Sequence, residues 1–155
     1  MSAFISVQSS TDEGARNGAG TRSAGACRMS RSPVEKLLVY QKAVAAADAI
    51  VALTDRPAFE NDPELRRQLR ASSGRIQSHL QEGSGQGTDR HYAHYVSIAR
   101  GSSKEVKGHL RRALGCRLIT EEEYWLHWHR FDEIAAMLSG LKKFLDGQDG
   151  EGNAG

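Results

Sequence analysis

Few aromatic residues, hardly any proline and almost no cysteine already narrow what this chain can be. Aromatic side chains make up 6% of its 155 residues and proline occurs three times, against 26% charged residues. That balance favours a helical protein that stays in water. Cys27 and Cys116 are the only cysteines. Two such residues make neither a disulfide framework nor a zinc pattern, and a reducing cytoplasm is the simplest setting. No apolar run approaches the ~18–20 residues of a membrane span, which excludes a transmembrane helix. A catalytic set is missing too. Cys116 has no recognisable His–Asp partner pattern around it. The glycines of GSGQG, residues 83–87, follow no strand and precede no Gly-Lys-Ser/Thr, so they read as a helix connector and not as a phosphate loop.

What the chain does have is helical periodicity between residues 34 and 146. Its length suits one domain with its own core. In the first helical segment Leu37, Tyr40, Val44, Ala47 and Val51 recur at heptad spacing, and Val39, Ala43, Ala46, Ile50 and Leu53 form a second apolar stripe. A helix apolar on two sides is either central in a monomer or shared between the core and a subunit interface. The second segment opens with Asp62 as cap and Pro63 at the first helical position, and buries Leu65, Leu69, Ser72, Ile76 and Leu80. It should stop near Gly83. Thr88 caps the third, whose seam runs through Tyr92, Val96, Ala99, Ser103, Val106, Leu110 and Ala113 to a stop at Gly115. Thr120 and Glu123 form a capping box for the fourth. Tyr124, His127, Phe131, Ile134, Leu138, Leu141 and Leu145 make its seam. Short connections imply antiparallel neighbours. The expected fold is therefore all-α, an antiparallel up-down-up-down four-helix bundle. It should be flanked by a disordered tail at 1–33, rich in Ser, Gly, Ala and Arg, and a flexible Gly-rich tail at 147–155. Met29 offers an alternative translation start.

Charge is spread unevenly. Residues 62–118 hold eleven Lys/Arg against five Asp/Glu, a local +6, while residues 119–146 hold three against six, or −3. Such an arrangement suits a polyanion or another copy of the chain. On the third helix Arg100, Lys104, Lys107 and Arg111 keep to a narrow stripe a quarter turn from the seam, ~16 Å long, which could follow several phosphates. Arg112 extends it, and Arg66, Arg67 and Arg70 offer a second row from the neighbouring helix. The plainer alternative is a solvated face or a set of ion pairs with the acidic fourth helix. The six histidines lack the Glu-x-x-His pairs of bundle metal sites, so no metal and no cofactor are expected. His127 reads as a hydrogen-bonded core histidine, and Trp125 and Trp128 as interface anchors or caps of the bundle.

Two segments, QLRASSGRIQSHLQEG at 68–83 and ARGSSKEV at 99–106, resemble the signature segments of the small bundle proteins encoded in intervening sequences of bacterial 23S ribosomal RNA genes. The resemblance spans about Val34 to Leu145. Gln68, Leu69, Arg70, Ile76, Glu82, Gly83, Ala99, Arg100, Gly101, Ser102 and Glu105 match it. Gly74, Arg75, Gln77 and His79 depart from the family's Val, Ser, Pro and Asn. The resemblance implies structural roles for Gln68, Glu82, Gly83, Gly101, Ser102 and Glu105, with the two glutamates buried or at an interface and paired with Arg70, Arg75 or Arg100. That family is in turn similar to the accessory proteins of diversity-generating retroelements, which are basic homopentamers that bind nucleic acid and associate with a reverse transcriptase. The implied function is a non-enzymatic, homopentameric protein that binds RNA or DNA and assists a reverse transcriptase. The alternative is a protein-interaction scaffold that touches no nucleic acid.

Overall fold

The computed structural model describes residues 33–151. Among them are four helices and no strand: α1 Leu38–Thr54, α2 Pro63–Ser84, α3 Asp89–Gly115 and α4 Glu121–Glu151. Short 3-10 turns at Val34–Lys36 and Pro57–Asn61 precede α1 and α2. The tail expected at 1–33 lies almost wholly outside the described residues. At the other end α4 continues to Glu151, past Asp146, where the sequence suggested a tail.

The helix starts follow their caps. The Asp62 carboxylate accepts from Leu65 N at 2.9 Å, with Pro63 in the first turn. Thr88 Oγ1 accepts from His91 N at 3.3 Å. Thr120 and Glu123 close the capping box in both directions, at 3.2 and 2.9 Å. Each cap satisfies an amide that the helix itself leaves unbonded.

Cross-helix pairs show that neighbours run antiparallel. Arg112 meets Asp62 and Arg75 meets Glu105 between α2 and α3. Lys107 meets Asp132 and Arg100 meets Ser139 between α3 and α4. Lys42 of α1 meets Glu133 of α4. Between α2 and α3, and between α3 and α4, one number rises as the other falls. Helix α3 packs extensively on α2 and α4, and α1 closes the ring against α2 and, more lightly, α4. This is the up-down-up-down bundle.

The seams of α2, α3 and α4 are buried as the periodicity indicates, Leu141 alone being half-buried. Phe59, Phe131, Ile50, Ile76, Leu110 and Leu138 are wholly enclosed, each worth ~1.5–3 kcal/mol in transfer from water. In α1 the two stripes exchange importance. Val39, Ala43, Ala46, Ile50 and Leu53 face the core, whereas of Leu37, Tyr40, Val44, Ala47 and Val51 only Ala47 is buried and Val51 is exposed. Side-chain size does not choose between them, since Ala43 and Ala46 face inward while Val44 does not; the docking of α2 and α4 does. On its remaining flank α1 presents alanines to α4. Ala45, Ala46 and Ala49 are too small to fill the space, and a groove of about 320 Å³ stays open there beside Lys42, Arg130 and Glu133.

Candidate nucleic-acid interface

Position on α3 decides what each basic side chain can do. At about 100° per residue, the side of α3 nearest α4 carries Arg100 and Lys107, and both are engaged with it. Lys107 Nζ lies 2.8 Å from Asp132 Oδ1 and 4.6 Å from the centre of the Trp128 ring. Arg100 Nη1 donates to Ser139 Oγ at 3.3 Å. Lys104 and Arg111, further round, are exposed and make no ion pair among the described residues. Arg112 turns toward α2 and meets Asp62 at 3.0 Å.

The row on α2 faces another neighbour. Arg66 and Arg70 converge on Asp55 at the end of α1, at 3.2 and 2.6 Å, and Arg70 Nε also donates to Thr54 Oγ1 at 2.8 Å. These hydrogen bonds, Arg70's foremost, hold the Asp55 carboxyl below its usual range. Arg67 grips Glu64 with two bonds of 2.6 and 2.9 Å and lowers its pKa in the same way. The structure thus directs Arg66 and Arg70 to α1 and the α3 stripe to α4 and solvent, and does not join them in one surface. A paired guanidinium must release its carboxylate before it can neutralise a phosphate, so Lys104 and Arg111 are the cations readiest to bind one.

The residues matching the family segments divide into interior and rim. At Gly83 a Cβ would come within 2.7 Å of Tyr95 Cβ and of Tyr92 Cδ2, so only glycine lets α2 and α3 approach this closely. Ser102 is buried, its hydroxyl turned back on Ile98 O at 3.4 Å, and Leu69, Ile76 and Ala99 lie in the core. Gln68 donates to Glu64 at 2.9 Å. The resemblance implies that Glu82 and Glu105 are buried or at an interface; within the chain neither is buried, and both are exposed. Desolvating a carboxylate is costly, and the small residues take the interior instead. Glu105 does pair with Arg75, at 3.0 Å, whereas Glu82 accepts from Tyr95 Oη at 3.4 Å and meets no arginine. Gly101 is different again: a Cβ there would touch nothing within 4 Å. Packing within the chain does not call for that glycine.

Elsewhere, Arg56 clamps Glu123 at 2.6 and 3.1 Å and ties the α1–α2 connection to the start of α4. The sequence gives Glu123 its place in the capping box, but the pairing of Asp55 and Glu123 with arginines of distant segments comes only from the packing. His127 is buried, but its Nδ1 has no hydrogen-bond partner among the described residues, and burial lowers its pKa. Among the described residues no three His, Cys, Asp or Glu are grouped to hold a metal ion, and no helix is long and apolar enough to cross a membrane.

Comparison with known proteins gives the chain its relatives. A search of curated proteins finds no significant match. Among solved structures, a protein of unknown function from the S23 ribosomal protein family of Bacteroides thetaiotaomicron superposes with a TM-score of 0.63 at 21% identity, over 68% of this chain and 99% of that one. At that identity the likeness speaks to the fold. The profile of the 23S rRNA-intervening sequence proteins matches residues 35–140, which takes in all but the C-terminal part of the bundle and both signature segments. The chain belongs to the 23S rRNA-intervening sequence protein family.

Proposed function

We propose that this protein is a non-enzymatic, self-associating accessory protein that binds RNA or DNA by its phosphate backbone. The observation that carries the reading is the outer face of α3, where exposed Lys104 and Arg111 have no carboxylate to neutralise them. Cations in that state gain most from a phosphate, because binding releases the counterions condensed on the nucleic acid. The family's link to ribosomal RNA genes supports an RNA-related role. Filter binding against salt is the direct test. Retention of RNA or DNA should fall linearly on a plot of log affinity against log salt, and no retention even at low salt would refute the proposal. The likeness to retroelement accessory proteins extends the proposal to a reverse transcriptase partner, to be sought by co-purification from the native host.

A second reading, a protein scaffold, draws on the uneven charge, a local +6 over residues 62–118 against −3 over residues 119–146. The two readings separate on salt. A scaffold assembled through basic and acidic faces comes apart at high salt, whereas a nucleic-acid binder built on apolar contacts loses its ligand and keeps its assembly.

A further inference from the structure

We propose that the nucleic acid is double-stranded and lies along a glycine-interrupted ridge on the outer face of α3, centred on Gly101, Lys104, Gly108 and Arg111. This rests on the nucleic-acid reading above and narrows it to a partner and a surface. Ser97, Gly101, Lys104, Gly108, Arg111 and Gly115 succeed one another at alternating intervals of four and three, so they form a second seam on α3 that faces water. It is ~27 Å long at 1.5 Å per residue. Arg90 and His94 continue it toward the N-terminus. All but Ser97 are exposed. On the arc from Arg100 round to Arg112 there is no carboxylate. The nearest, Glu105, lies beyond Arg112 and is held by Arg75 at 3.0 Å. Arg90, Lys104 and Arg111 make no ion pair among the described residues, whereas Arg66, Arg67, Arg70, Lys107 and Arg112 each do.

The glycines set what the cations can reach. A Cβ at Gly101, Gly108 or Gly115 would meet nothing within 4 Å, in contrast to Gly83. Between the cations the helix surface is therefore bare backbone, and a phosphodiester strand can come close while Lys104 and Arg111, two turns apart, flank it. The composition of the arc selects the partner. It has no large apolar side chain, and the centres of protein interfaces are built from such anchors. Apart from His94 it has no aromatic ring on which unpaired bases could stack, as single-strand binders require. Nor has it an array of amide side chains to read base edges. A cationic face of this kind fits the backbone of a duplex, without sequence preference.

The test compares short labelled duplexes of RNA and of DNA with single strands of equal length, by fluorescence anisotropy at fixed salt. It uses the full chain and a variant carrying Gly101→Leu and Gly108→Leu. This variant keeps every charge, and open space at both sites leaves the bundle intact, as its melting temperature should confirm by not falling. The expected result is tighter binding of duplex than single strand, and a loss of about tenfold or more in the variant. A second variant, Lys104→Glu with Arg111→Glu, should abolish binding while melting as the parent does. Single strands bound as tightly as duplexes would overturn the assignment of partner but leave the nucleic-acid reading standing. A duplex preference that both variants retain would overturn the ridge. No binding of any of these probes by the parent chain would overturn the nucleic-acid reading itself.

Discussion

Arg117 is the residue whose backbone conformation most clearly departs from what its side chain favours. Helix α3 ends at Gly115, as the sequence suggests, but the left-handed residue that closes it is Arg117, two residues later. Arg117 N donates to Leu114 O and Leu118 N to Ala113 O, both at 2.9 Å, with Arg117 at φ 59°. This paired closure needs a left-handed residue, a position at which glycine is favoured. Relief of ~1–2 kcal/mol of strain, less the ~0.4–1 kcal/mol by which glycine loosens the unfolded chain, leaves Arg117→Gly more stable by about 0.5–1 kcal/mol. Thermal unfolding should shift up by a few degrees, and an unchanged or lower midpoint would contradict the assignment. His127 supplies the corresponding dependence on pH. Burial first, then the charge of Arg130, holds its folded pKa below the ordinary 6.5. The unfolded chain thus binds more protons as pH drops through 6.5, so stability is full above that value and declines as pH falls toward the folded pKa. The Arg56-bound Glu123 acts in a lower window. Its folded pKa lies below 4.5, so its contribution is present above that value and is lost in stronger acid. Denaturant titrations of His127→Phe should show a flatter pH dependence below about pH 6.5 than the parent. Identical curves would mean that this imidazole does not govern it.

At the scale of the helix, much was legible and the reason is periodicity. The buried residues of α2 and α3 repeat so regularly that Leu65, Leu69, Ile76 and Val96, Val106, Leu110 could be assigned to the core from spacing alone. The caps at Asp62, Thr88 and Thr120 were equally plain, because capping depends on residues three apart. In α1 spacing did not suffice: two apolar stripes were available, and which of them faces inward depends on where α2 and α4 dock. The basic stripe illustrates the same limit. Sequence shows that Arg100, Lys104, Lys107 and Arg111 share a side of α3, but only packing shows that Asp132 and Trp128 stand beside Lys107. The four are therefore expected to part company on mutation. Lys104→Gln and Arg111→Gln should each reduce the salt dependence of nucleic-acid binding by ~0.7–0.9 in slope. Neither should alter thermal stability much, since Gln and Lys or Arg have similar helix propensity. Lys107→Gln should do the reverse, lowering the melting midpoint while changing the slope little. Equal slope changes for all three would mean that Lys107 leaves Asp132 to bind phosphate.

For the whole molecule the open question is what covers the side where α1 and α4 meet loosely. Leu38 is 58% exposed on α1, and Leu126 and Phe144 are 51% and 62% exposed on α4. At about 100° per residue Leu126 and Phe144 project from one side of α4, the side that also carries Glu133 and its bond to Lys42. Large exposed apolar side chains together with an unfilled groove are uncommon on a protein that remains alone in solution. Such a surface suits a second copy of the chain, and repetition of a contact between unlike faces closes into a ring if the rotation permits. Assembly through apolar contacts should persist or strengthen in high salt, the opposite of nucleic-acid binding. Light scattering of the parent should therefore give several times the monomer mass at micromolar concentration, in low and high salt alike. Replacing Leu126 and Phe144 with Gln removes apolar surface without touching the core, so the variant should remain helical and fall to a lower mass. Its charged α3 face is intact, yet each particle would then offer fewer copies of that face. Affinity for a long duplex should drop more than affinity for a short one, because simultaneous engagement of several subunits is lost. A monomer mass for the parent at every concentration would refute self-association. A parent mass unchanged by both substitutions would place the subunit contact on another face.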